Sequence, residues 1–174
     1  ENNYYFCTDL QKMKLFQTFL VCTFLIVSLK ANGQTTKPPA NDPQVDAIIN
    51  YAKKFLGVPY RYGGTTPSGF DCSGFINYIF GNFGFDLVRT SYGLAELGTT
   101  VKLSDIQPGD LMFFKGSNVN STQVGHVALV IEVTPEAIKF IHSANSGVRI
   151  DNFKTSQYYI QRYVKTKRLD YGTP

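Results

Sequence analysis

The spacing of apolar residues changes once along this chain, near Pro108, and that change limits the folds open to it. Before it, Val45, Ile48, Ile49, Ala52, Phe55 and Leu56, and then Phe75, Ile76, Ile79, Phe80 and Phe83, recur every three or four positions. Such spacing lays one apolar stripe along a helix. After Pro108 come short β-rich runs: "DLMFF" (110–114), "HVALVIEV" (126–133), "AIKFIHSA" (137–144), "GVRI" (147–150) and "IQRYVKTKRL" (160–169). Asp42 followed by Pro43 starts the first helix and Gly57 ends it; Gly84 closes the second, and "TSYGLAELG" (90–98) reads as a shorter one. Helices first and strands second imply an α+β domain, with N-terminal helices packed on a mainly antiparallel β-sheet. There is no internal repeat.

The start of the chain reads differently. "MKLFQTFLVCTFLIVSL" (13–29) has the charged start and apolar run of an export signal, with Ala31 and Gly33 placed for cleavage before Gln34. The run is short for a membrane span, which takes about 20 residues. Val21 before Cys22 is the wrong neighbour for a lipid-modified cysteine. Residues 1–12 read as read-through from upstream of Met13. The expected organisation is a signal peptide with upstream read-through over 1–33, a proline-rich linker over 34–42 and one domain over 43–174. The protein is then expected in the periplasm or outside the cell, as a monomer with no stable membrane anchor after signal cleavage. Residues 34–174 carry 14 Lys and Arg against 11 Asp and Glu. That balance is too mild for nucleic acid, and "KTKR" (165–168) reads as a solvated strand end.

Of the three cysteines, Cys7 and Cys22 precede the expected cleavage point, which leaves Cys72 without a partner. A free thiol is unusual in an oxidising compartment. A buried structural cysteine and a nucleophile are about equally expected from the count alone. Position favours the nucleophile. Cys72 stands where a glycine-rich loop, "YRYGGTTPSGFDC", becomes a helix, and a helix start favours the thiolate and offers N–H groups to an oxyanion. Gly69 and Gly74 leave room there for close approach.

A thiolate mechanism needs a base, and the chain has two histidines, His126 and His142. A hairpin centred near residue 135 pairs residues whose numbers total about 270, and these two total 268. The rings are expected almost opposite each other on one edge of the sheet, with His126 taking the thiol proton and His142 orienting it. One histidine alone would more readily be read as a hydrogen-bonded structural residue. No CxxC or HExxH appears, so no metal and no cofactor is expected. Asp71 and Asp110 read as turn and cap residues.

At these residues the chain resembles a family. "PYRYGGTTPSGFDCSGFINYIF", "LVRTSYGLAELGTTV", "LSDIQPGDLMFF", "VGHVALVIE" and "FIHSANSGVRI" are together similar to the NlpC-type cell-wall peptidases, papain-like cysteine hydrolases of bacteria. The resemblance spans about residues 45–165. It implies a papain-like fold with Cys72 as nucleophile, His126 as general base and His142 as third member. It implies that Tyr60 assists near the oxyanion, and that Asp71 and Ser73 help shape the substrate site. The implied reaction is hydrolysis of the amide between D-γ-glutamate and a diamino acid in peptidoglycan stem peptides. Many relatives carry an N-terminal wall-binding domain, for which residues 34–42 are too short. Two alternatives stay open: an N-acyl amidase or acyltransferase with the same triad, and a non-catalytic wall-binding module.

Overall fold

Asp42 caps the first helix by accepting the Gln44 N–H at 2.9 Å, and Pro43 takes the first helical position, where a missing N–H costs nothing. The computed structural model describes residues 42–171; the expected signal peptide and all but the last residue of the expected linker lie outside the described residues. Helix α1 (Pro43–Lys53) buries Val45, Ile48, Ile49 and Ala52. A small hairpin, β1 (Thr65–Thr66) and β2 (Gly69–Phe70), leads into α2 (Cys72–Gly81), and α3 (Ser91–Leu94) follows. The remaining strands are β3 (Thr99–Val101), β4 (Leu111–Lys115), β5 (Val124–Val133), β6 (Ile138–Ala144), β7 (Gly147–Asn152) and β8 (Tyr163–Arg168). They form one six-stranded sheet in the order β3-β8-β4-β5-β6-β7, with antiparallel neighbours throughout. This is the α+β arrangement expected from the change in periodicity.

Alternation along the central strands sorts their side chains onto two covered faces. Leu111, Phe113, Val127, Leu129 and Ile141 pack with the buried residues of α1 and α2. Met112, Phe114, Ala128, Val130 and Phe140 pack on the other face with Phe153 and Tyr159. Tyr159 comes from α4 (Gln157–Arg162), so residues 160–162 are helical where a strand was expected. The run "YYI" has strand propensity, but burying Tyr159 against Phe114 and Phe140 prevails. The expected helix over 90–98 closes after one turn. Its tail tightens into i→i+3 bonds, Glu96 N–H to Gly93 and Leu97 N–H to Leu94, before β3 begins.

Strand β8 is less solvated than expected. Within "KTKR", Lys165 pairs with Glu96 at 2.9 Å, and Arg168 makes two bonds, 2.7 and 2.9 Å, to Asp110. Asp110 is almost wholly buried and also accepts the Gln107 N–H at 2.8 Å. It is a satisfied turn residue that fastens β8 beside β4. No helix among the described residues is long and apolar enough to cross a membrane.

Candidate active site

Cys72 is the first residue of α2, and Asp71 caps that helix by accepting the Gly74 N–H at 2.6 Å. The loop before it is tied back onto the helix start. The Asp71 N–H donates to the Gly64 carbonyl at 3.0 Å, and Gly74 lies so close to that carbonyl that a Cβ there would overlap it. The freedom expected at Gly74 lets the backbone of that loop approach closely. Gly69, also expected to leave room, is buried against the Arg61 side chain, with φ of 156°.

His126 is placed by a bulge. Phe114 pairs with His126 and Lys115 with Val124, which leaves Gly125 as the extra residue on β5. A β-bulge adds twist and re-aims the neighbouring side chain. Only glycine fits: a Cβ at position 125 would lie 2.7 Å from the Gly116 backbone. Beside this bulge His126 shares one cavity of about 600 Å³ with Cys72 and Tyr60. Tyr60 is held there by its bridge to Phe70.

His142 stands behind His126, with Nδ1 2.9 Å from His126 Nε2 and the two rings edge to face. The β5–β6 register puts Leu129 opposite Ile141 and Val130 opposite Phe140, so the expected total of 270 holds near the site. A bulge beyond Val130 changes it farther away. The two histidines are thus diagonal neighbours. They lie on inner strands with β7 outside them, not on an edge as expected, and this leaves room for a further partner. That partner is Asp151 of β7, whose Oδ2 lies 2.8 Å from His142 Nε2. Arg149 holds the same carboxylate through Nε at 2.8 Å and Nη2 at 3.0 Å. The Tyr159 hydroxyl lies 3.4 Å from His142 Nε2.

Asp151, Arg149 and Tyr159 are not among the expected site residues, since the expected strand stops at residue 150. The signal was present in "VRID": alternation puts Arg149 and Asp151 on one face, and a short turn at Asn145 and Ser146 folds them back along His142. Asp71 and Ser73 do not line the cavity. They join Arg89 in a polar cluster, Arg89 bonding to both Asp71 oxygens at 3.0 and 2.6 Å and to the Ser73 hydroxyl at 2.8 Å.

Burial dominates the electrostatics. It pushes the Cys72 thiol up, against the N–H groups of Val127, Ser73 and Cys72 itself that favour the thiolate. The helix start does favour the anion, as expected, but desolvation outweighs it. Burial, then the charge of His142, pushes His126 down to about 3. Burial also lowers His142, although Asp151 opposes the shift. For Asp151 burial acts upward, and the bonds from His142 and Arg149 overcome it and hold the carboxyl low. These shifts favour a neutral thiol and a neutral imidazole in the shared cavity. Such a pair can pass the thiol proton to the ring as sulfur attacks a carbonyl, with helix-start N–H groups near the developing oxyanion. Among the described residues, no group of three or more His, Cys, Asp or Glu is arranged to hold a metal ion.

The sequence matches the family model described as the NlpC/P60 family over residues 57–168. A gamma-DL-glutamyl hydrolase of Bacillus subtilis is 38% identical over 160 residues, covering 91% of this chain and 37% of that protein. A gamma-D-glutamyl-L-lysine dipeptidyl-peptidase of Bacillus cereus is 36% identical over 145 residues, covering 80% of this chain and 42% of that protein. The chain spans about two fifths of the length of these two curated relatives. The crystal structure of an NlpC/P60 family protein from Bacillus cereus superimposes with a TM-score of 0.64 at 36% identity, over 72% of this chain and 40% of that one.

Proposed function

Because this chain belongs to the NlpC/P60 family, we propose that it is a cysteine endopeptidase cutting the amide between D-γ-glutamate and a diamino acid in peptidoglycan stem peptides. One observation carries the reading: a free thiol on a helix start shares a cavity with an imidazole that a second imidazole holds at 2.9 Å. Relatives named for γ-glutamyl bonds support the choice of bond. In this mechanism Cys72 attacks the γ-carbonyl as His126 takes its proton. The helix-start N–H groups and Tyr60 face the oxyanion, and His126 returns the proton to the departing amine. A thioester remains on Cys72, and water hydrolyses it. Residues 13–33 support export to the compartment that holds the wall.

The test is incubation with L-Ala-γ-D-Glu-diaminopimelate, with products identified by mass spectrometry. Release of L-Ala-D-Glu by the native chain, and none by Cys72→Ala, is the expected result. A cut elsewhere in the peptide would overturn the substrate, and activity in Cys72→Ala would overturn the mechanism.

A further inference from the structure

The contacts behind the two histidines form a directed chain. The Asp151 carboxylate accepts hydrogen bonds from Arg149 on both oxygens, and an ionised carboxylate has no proton to give. At 2.8 Å from Oδ2, His142 Nε2 must therefore carry the hydrogen. A neutral ring with a hydrogen on Nε2 has a bare Nδ1, so His142 Nδ1 accepts, and its neighbour at 2.9 Å, His126 Nε2, must donate. That leaves Nδ1 as the one bare nitrogen of His126. We propose that Asp151, clamped by Arg149, is a positioning residue that fixes both imidazoles as Nε2–H tautomers across three strands and reserves His126 Nδ1 for the thiol proton.

The geometry suits the task. Both contacts run on diagonals of the sheet. Leu129 is opposite Ile141, which puts Ala128, not His126, across from His142, and Phe140, not His142, is directly opposite Asp151. His142, between the two contacts, is wholly buried, so water does not offer it another partner. Arg149 reaches Asp151 from the partly open side: its side chain is 47% exposed, that of Asp151 21%. Three aromatic rings, Phe140, Tyr159 and the His126 imidazole itself, hold the His142 ring in place.

The proposal depends on the peptidase reading only for its kinetic test. The chain has two histidines, so a long-range ¹⁵N–¹H spectrum of the full chain, labelled at histidine, contains two ring systems. Both are expected as neutral Nε2–H tautomers, and an Nδ1–H signal from either ring would overturn the proposal. In Asp151→Ala, His142 should lose its single tautomer. Turnover should fall about 10- to 100-fold with little change in KM, the range usual for partners that orient an active ligand. Asp151→Glu should recover part of the rate. A folded Asp151→Ala that keeps both tautomers and its turnover would overturn the proposal. Should that variant fail to fold, Asp151→Leu, close in size to the native side chain, replaces it. Leucine offers His142 Nε2 no acceptor, so the same losses are expected and their absence would count equally against the relay. A native chain with the expected tautomers that leaves the stem peptide uncut would sink the proposed substrate and leave the relay standing.

Discussion

His142 sits two residues away from the position directly across from His126, yet the rings meet at 2.9 Å. Diagonal neighbours in a sheet are some 7–8 Å apart at the backbone, a gap that only longer side chains close. The contact therefore asks for reach as well as polarity. His142→Ala should lower turnover at least about tenfold, by freeing the His126 ring. His142→Asn should recover more of the rate than His142→Gln, since Asn Oδ1 stands two bonds from Cβ, as the accepting His142 Nδ1 does, and the longer amide overshoots that place. Steady-state kinetics of the three variants checks the order, and equal rescue by Asn and Gln would contradict it.

The depressed histidines also predict acid lability. His126, with a pKa near 3 when folded and about 6.5 when unfolded, stays neutral in the folded state while the unfolded chain takes up a proton. Its stabilising share is fully present above about pH 6.5 and is lost as pH falls toward 3. His142 shifts in the same direction. Asp71 and Asp151, both held low, add their own loss at more acid pH. Melting temperature should drop steadily from pH 7 to pH 4, and the slope should be shallower in His126→Gln. Parallel slopes for the two proteins would refute the assignment.

Two glycines should be far less replaceable than a third. A Cβ at Gly74 overlaps the Gly64 carbonyl, and one at Gly125 meets the Gly116 backbone at 2.7 Å, whereas Gly81 has nothing within 4 Å. Gly74→Ala and Gly125→Ala should each cost about 1–3 kcal/mol, as overpacking does. They should also depress activity, since they shift the supports of Cys72 and His126. Gly81→Ala should be neutral or stabilise by up to about 1 kcal/mol. Urea unfolding of the three variants decides the point.

The order of helices and strands was legible because each apolar stripe has its own period, and the pairing of the histidines because a hairpin fixes its register. Three things were not. A helix start by itself favours the thiolate, but how deeply the Cys72 thiol is buried depends on packing from β5, which no local pattern encodes. The place of β5 and β6 inside the sheet depends on β7, and on β8 inserting beside β4. Asp71 and Ser73 flank the nucleophile in sequence, and their contacts with Arg89, distant in sequence, depend on a packing that no local pattern encodes.

The raised thiol of Cys72 gives the last prediction. A thiol in an ion pair with imidazolium is alkylated at a rate that levels off in mild acid. Here burial holds the thiol up and His126 stays neutral, so no such pair exists at rest. The rate of iodoacetamide modification at Cys72 should instead climb with pH through and beyond the ordinary thiol range, about 8.5. Mass mapping of the modified peptide separates Cys72 from Cys7 and Cys22. The negative charge of Asp71 contributes to the upward shift, so Asp71→Asn, which keeps a side-chain oxygen for the helix cap, should move the curve toward lower pH. A plateau below pH 6 in the native protein would mean that the thiolate already exists at rest, and that His126 is charged in the folded protein.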